Sequence, residues 1–314
     1  MAKEYDIVII GAGPAGLAAG LYAARARRST IIFEKNVTGG QIALTADIEN
    51  YPGIDSINGF DLGQAMQQQA EKHGAEMAYA AVTSIEPKDG LQIVHTDDGD
   101  YIAKAVIVTA GADYNKLGVP NEERLTGYGV SYCGTCDAAF FKDQVVAVVG
   151  GGDAAMDEGL FVSRYASKVH VIHRRDELRA SAVLKERAFA NEKMEFIWDT
   201  VVESIDGQDE VSSLHLRNLK TGEEQDFPVT GVFVFIGQTP NSNFLQGLVE
   251  MDNGGHVIVN EWMETSVPGI FAAGDIRNNS ARQVVASAGD GATAAIRADH
   301  YISNLQVPEA VKAD

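Results

Sequence analysis

The chain has 314 residues, of which 45% are hydrophobic and 22% charged, the make-up of a folded protein long enough for about two domains. A formal net charge of −19 argues against nucleic acid or anionic membrane as partners, because both need basic surface. No run approaches the roughly 18 apolar residues of a membrane helix, and two cysteines do not make a disulfide scaffold. The expectation is a soluble, cytoplasmic protein.

Residues 6–10 read as a buried parallel strand and run into Gly11-Ala12-Gly13-Pro14-Ala15-Gly16, followed by an alanine-rich helix to about residue 27. Glycine fingerprints carry weight when a strand precedes and a helix follows, as here. Gly11 permits the tight turn, Gly13 lets the backbone approach a pyrophosphate, and Gly16 lets helix and strand pack closely. Pro14 and Ala15 complete the turn at a helix N-terminus whose free N–H groups suit phosphate. A second strand, 30–33, ends in Glu34, 18 residues past Gly16. A carboxylate there accepts hydrogen bonds from a ribose diol and repels a 2′-phosphate, so this site suits FAD or NAD.

Gly39-Gly40-Gln41 closes the first unit, and Asp47 to Gly53 forms a turn-rich loop with polar side chains for a ligand. A polar helix over 62–73 follows. Residues 83–102 read as hairpin strands turning near Asp97-Asp98-Gly99, and 106–108 as a buried strand.

Val130 to Asp137 holds both cysteines, as Cys133-Gly134-Thr135-Cys136. The pair has three readings: half a zinc site, two buried apolar residues, or a redox dithiol. Zinc lacks a second cysteine pair, and His170 and His173 lie well downstream in a strand-like run. The dithiol reading requires an electron donor elsewhere in the chain.

That donor site is legible nine residues on. A strand over 145–149 leads into Gly150-Gly151-Gly152-Asp153-Ala154-Ala155, a helix to about residue 165, and a strand over 168–172 ending at His173. The position that held Glu34 in the first unit now delivers His173-Arg174-Arg175, with Arg179 following. Guanidinium forks match phosphate geometry, so this site suits NADP(H). An NADP site, a second dinucleotide site and a dithiol read together as an electron relay. The rest comprises alternating β-structure over 201–228, an apolar strand over 232–236, a strand ending in Gly274-Asp275, and a small-residue helix over 284–302. The tail after Gln306 is expected to fray.

In this order and spacing the motifs resemble the low-molecular-weight, bacterial-type thioredoxin reductases over nearly the whole chain. Those that carry the likeness are the two glycine turns, Gly39-Gly40-Gln41, Glu49 to Gly53, Ser131 to Asp137, His173 to Asp176, Ala272 to Asp275 and Arg282-Gln283. The resemblance implies an α/β fold of two Rossmann-like dinucleotide-binding domains. An FAD domain, 1–114 with 244–314, would receive an inserted NADPH domain, 115–243, carrying the dithiol. It implies FAD contacts from Glu34, Gln41, Asn50, Asp275 and the backbone around Arg282, Gln283 and Val284, and a 2′-phosphate site at Arg174, Arg175 and Arg179. NADPH would pass hydride to the flavin, the flavin two electrons to Cys133–Cys136, and the dithiol would reduce thioredoxin. Cys136 would face the flavin, Cys133 attack the partner, and Asp137 serve as general acid. It further implies a homodimer, and the ligand count around the cysteines leaves no metal expected.

The dithiol and the NADPH turn share one segment yet must both serve one flavin. A rotation between domains is therefore expected, with hinges near 111–118 and 237–243. Gly134 stands where the family usually has alanine and is expected to loosen the dithiol turn. Asp157-Glu158 replaces a commoner Glu-Glu, and Tyr128 replaces a basic residue.

Overall fold

The computed structural model describes residues 2–45 and 48–305; Asp47 of the polar loop and the tail from Gln306 lie outside the described residues. In chain order the elements are β1 (Lys3–Ile10), α1 (Pro14–Arg25), β2 (Thr30–Glu34), α2 (Gly59–Lys72), β3 (Glu76–Tyr79), β4 (Val82–Lys88), β5 (Leu91–Thr96), β6 (Gly99–Val108) and β7 (Ala112–Tyr114). There follow β8 (Val130–Ser131), α3 (Gly134–Asp137), β9 (Val145–Val149), α4 (Asp153–Val162), β10 (Lys168–Ile172), α5 (Ala182–Phe189), β11 (Met194–Ile197), β12 (Thr200–Asp206), β13 (Ser213–Asn218) and β14 (Glu224–Pro228). The last are β15 (Gly231–Val234), β16 (Gln238–Pro240), β17 (Ile270–Ala272) and α6 (Val284–Asn304).

The chain divides into two compact units, one formed by residues 1–113 with 239–314 and the other by 114–238. The segments that pass between them, β7 and β16, pair as a short two-stranded ribbon.

In the first unit the sheet order is β3-β2-β1-β6-β5-β4, with β17 also on β6. β1, β2, β3, β6 and β17 run parallel, whereas β4, β5 and β6 form antiparallel hairpins. β1 shows why its sequence is continuously apolar. Ile7 and Ile9 enter the core beneath α1 and α6, and Val8 and Ile10 enter the core on the opposite face, so neither face meets water. α1 and α6 are rich in small residues because they approach closely: a Cβ on Gly291 would lie 1.9 Å from the Ala15 carbonyl oxygen.

The second unit repeats the parallel plan with sheet order β11-β10-β9-β15-β8. Val146 and Val148 of β9 pack with Met156 of α4, while Ala147 and Val149 pack with Leu214 and Leu216 of the antiparallel sheet β12-β13-β14.

Three expectations need correction. α1 starts at Pro14 rather than residue 17, because proline lacks the N–H that a first helical position does not need and has its φ preset. α4 likewise opens at Asp153. The hairpin region holds two turns rather than one: β4 and β5 also reverse at Asp89-Gly90, both with positive φ. The presumed separate strand at 106–108 is the end of β6, whose first half pairs with β5. β3, α5 and β11 were not legible as elements; β3 and β11 are short strands completing parallel edges, and α5 is a short helix with little apolar periodicity.

Candidate active site

The first glycine turn is held at both ends. Gly11 has φ +108°, and a Cβ there would lie 2.5 Å from the Thr109 carbonyl oxygen. A Cβ on Gly16 would lie 1.8 Å from the Gly11 oxygen. The Thr109 hydroxyl donates to the Ile10 and Gly11 carbonyls at 3.0 and 2.8 Å, tying β6 to the turn. By contrast, a Cβ on Gly13 would meet nothing nearer than the Gly39 oxygen at 4.0 Å. The turn is closed behind and open in front, as a bound pyrophosphate requires.

Glu34 is 9% exposed at the end of β2. Its Oε2 accepts the Ala12 N–H and its Oε1 the Asn36 N–H, both at 2.8 Å. The carboxylate is thus fixed beside the glycine turn, and each oxygen retains acceptor capacity for a ribose hydroxyl. Gly39 donates to the Ala12 carbonyl at 2.8 Å, which seats Gly40 against Gly13. The Gln41 amide donates to Asp113 at 2.7 Å.

The structure also brings the distant ends of this unit together. The Asn50 amide donates to Gln283 at 3.2 Å, across 233 positions of sequence. Arg282 takes φ +56°, and Gln283 precedes the first turn of α6, whose N–H groups begin at Val284. Asp275 accepts hydrogen bonds from Ser280 and Ser287 at 2.7 and 3.4 Å, while Gly274 (φ +76°) packs on Ala15. Sequence reasoning missed the buried pair beneath this region. Asp290 of α6 accepts two bonds from the Arg277 guanidinium, at 2.6 and 3.0 Å, and the Gly274 N–H at 3.2 Å. A carboxylate set among the small residues of the first half of that helix was the available signal.

In the second unit, Gly150 to Ala154 form the corresponding turn, and a Cβ on Gly152 would meet nothing within 4 Å. Asp153 accepts the Ser181 N–H at 2.5 Å, and the Arg179 N–H donates to the Gly151 carbonyl at 2.7 Å. His173 is 5% exposed, its ring lies against Gly151, and its Nε2 is buried with no hydrogen-bond partner among the described residues. Burial pushes its pKa down, opposed by a backbone group of Glu177 and reinforced by Arg179, Arg175 and Arg174, so the ring is neutral. The three arginines are exposed, and none forms an ion pair with a carboxylate among the described residues. Uncommitted guanidiniums around an open glycine turn fit a 2′-phosphate.

Cys133 and Cys136 form a disulfide at the start of the four-residue helix α3, with Cα atoms 5.3 Å apart. The Cys136 N–H points at the Cys133 sulfur, 3.2 Å away. Ser131 of β8 is the connector that the sequence did not single out. Its hydroxyl accepts the Cys133 N–H at 3.1 Å and donates to Asp137 Oδ2 at 2.6 Å. Burial raises the Asp137 pKa above the usual carboxylate range, and the Ser131 hydroxyl offsets this in part. Asp137 therefore holds a proton more tightly than an exposed aspartate.

Glu122 supports the dithiol from behind. It is 2% exposed and accepts the N–H groups of Leu117 and Gly118, each at 2.8 Å, and the Tyr132 hydroxyl at 2.9 Å. Tyr132, next to Cys133, stacks on Tyr114 with ring centroids 5.4 Å apart. Burial, and then its bond to Glu122, push the Tyr132 pKa well above that of a free tyrosine.

Gly134 is buried and lies outside the positive-φ region, so the backbone does not demand it. Among the described residues no group of His, Cys, Asp and Glu is arranged to hold a metal ion, and no helix is long and apolar enough to cross a membrane.

Residues 5–291 match the family model of the pyridine nucleotide-disulphide oxidoreductases. The chain is 47% identical over 305 residues to a thioredoxin reductase of Bacillus subtilis (strain 168), covering 97% of this chain and 96% of that protein. It is 45% identical over 313 residues to a thioredoxin reductase of Listeria innocua, covering 99% and 98%. The crystal structure of thioredoxin reductase from Streptococcus pyogenes superposes with a TM-score of 0.92 at 47% identity, over 96% of this chain and 99% of that one.

Proposed function

Because this chain belongs to the thioredoxin reductases, within the pyridine nucleotide-disulphide oxidoreductase family, we propose that it carries electrons from NADPH through FAD to Cys133–Cys136 and on to the disulfide of thioredoxin. The single observation that carries this reading is the second unit itself. It holds a disulfide bonded into a hydrogen-bonded proton site and, 14 residues past Cys136, an open glycine turn faced by uncommitted arginines.

The first unit fits FAD: Gly11 to Gly16 leave room for the pyrophosphate, Glu34 for the ribose, and Gly40, Gln41, Asn50, Asp275 and the Arg282-Gln283-Val284 backbone complete the site. Bound FAD supplies the two-electron step between a hydride donor and a disulfide, which side chains alone cannot perform. In the second unit Gly150, Gly152, Asp153 and Ala154 receive the NADPH pyrophosphate. His173 packs the turn, and Arg174, Arg175 and Arg179 take the 2′-phosphate, rejecting NADH by leaving these cations unpaired.

The protein's own residues then manage sulfur and protons. Two electrons break the Cys133–Cys136 bond, and the two sulfurs take up two protons. One thiol gives up its proton and attacks the thioredoxin disulfide as the thiolate, forming a mixed disulfide and expelling the partner's other sulfur, which takes up a proton. The remaining thiol resolves that bond, Cys133–Cys136 re-forms, and reduced thioredoxin leaves. Asp137, kept protonated more readily by burial and oriented by the Ser131 hydroxyl that its Oδ2 accepts, moves a proton on its carboxyl group.

A rotation between the units fits the need for both transfers to reach one flavin. The hinges we assign fall near Gly111 to Gly118 and Gly237 to Asn243, where Gly111, Gly118 and Gly237 all adopt positive φ. A homodimer is supported by family membership and by exposed Tyr22 and Ile296 on the adjoining helices α1 and α6. We place the enzyme in the cytoplasm, where thioredoxin dithiols are kept reduced. The test is aerobic turnover with purified thioredoxin. Reduction driven by NADPH and far less by NADH supports the reading; NADPH oxidation without thioredoxin reduction opposes it.

A further inference from the structure

We propose that Glu158 of α4 is a positioning residue for the dithiol, and that residue 134 is glycine to admit it. The inference rests on the reading of Cys133–Cys136 as a redox pair and deepens it.

A Cβ built on Gly134 would lie 2.6 Å from Glu158 Oε2 and 3.1 Å from Val162 Cγ2. The volume that alanine would fill is taken by the carboxylate. Glu158 uses that approach to accept the Thr135 N–H at 3.0 Å. The Thr135 hydroxyl in turn lies 3.5 Å from the Cys133 sulfur, which also receives the Cys136 N–H. Of the two backbone donors that follow Gly134, one therefore serves the sulfur and the other is drawn away to an anion. Glu158 holds Thr135 so that its hydroxyl, not its N–H, faces Cys133.

The consequence is electrostatic. Reduction breaks the sulfur–sulfur bond, adds two electrons and takes up protons, and any thiolate formed at Cys133 arises on a turn whose Thr135 N–H is already committed to the Glu158 carboxylate. Like charges disfavour the charged form. Glu158 therefore destabilises the reduced, ionised dithiol and makes it the stronger reductant. Gly134→Ala should reproduce the loss of Glu158, because the flexible carboxylate end is what must yield to the new methyl group.

The experiment equilibrates the FAD-loaded enzyme with dithiothreitol redox buffers at about pH 8.5, where an ordinary thiol is about half ionised. Alkylation and mass spectrometry then count the thiols. Glu158→Gln and Gly134→Ala should each shift the equilibrium toward the reduced enzyme by about fivefold, near 20 mV, with the double variant no further shifted. Flavin content and circular dichroism establish that each variant is folded. Glu158→Gln within about twofold of the parent overturns the inference, as do shifts that add in the double variant. A parent pair that cannot be reduced and reoxidised overturns instead the redox reading beneath it.

Discussion

The selectivity for NADPH offers a test whose size can be worked from the structure. Arg174, Arg175 and Arg179 follow β10, and the backbone around them is pinned: His173 lies on Gly151, and the Arg179 N–H bonds to the Gly151 carbonyl. The guanidiniums are nevertheless exposed and hold no ion pair with a carboxylate among the described residues. Each charge-assisted bond to a phosphate contributes about 1.5–3 kcal/mol, and exposure selects the low end. Arg174→Ala with Arg175→Ala therefore removes about 3 kcal/mol, or about 10²-fold in the NADPH concentration needed for half-maximal rate. Stopped-flow bleaching of the flavin absorbance measures this without any partner protein. NADPH should weaken by that factor while NADH changes little, and added salt should weaken NADPH binding in the parent but not in the variant. An equal loss for both nucleotides would refute the reasoning, since it would place the arginines on a part the two nucleotides share.

Two further outcomes follow from the dithiol's surroundings. Glu122→Ala strands the Leu117 and Gly118 N–H groups and the Tyr132 hydroxyl; at about 1 kcal/mol or more for each unsatisfied donor, stability falls by about 3 kcal/mol. A lowered urea midpoint with flavin content unchanged registers this, and an unmoved midpoint contradicts it. Asp137 has its pKa raised by burial. The folded protein therefore keeps a proton that the unfolded chain has released, and stability falls as pH rises from the ordinary aspartate pKa through the raised one. Asp137→Asn abolishes that loss. Its melting temperature should exceed the parent's at neutral pH, with the gap closing below about pH 4, while turnover falls by about 10²-fold. A gap that does not change with pH would sink this assignment.

The two dinucleotide turns were legible because their chemistry is local. Strand, glycine turn, helix and the residue ending the next strand fall in one short stretch, so spacing alone marks Gly11 to Glu34 and Gly150 to Arg175. The same locality brought out Cys133, Cys136 and Asp137. What stayed hidden depends on contacts between stretches far apart in sequence. Asn50 meets Gln283, Arg277 meets Asp290, and Glu158 meets the turn at Gly134. No period or spacing announces such pairings. Gly134 is the instructive case. A glycine seen in sequence reads as freedom, whereas here its lack of a side chain makes room for another residue's carboxylate.

The measurement that bears most directly on the proposed relay is made on Cys136→Ser with NADPH and oxidised thioredoxin present. NADPH should still bleach the flavin at the parent's rate, because Cys136 takes no part in that half-reaction, and reduction of thioredoxin should stop. Thioredoxin turnover at the parent's rate in this variant would contradict the account, since electrons would then be reaching the partner without passing through the Cys133–Cys136 pair.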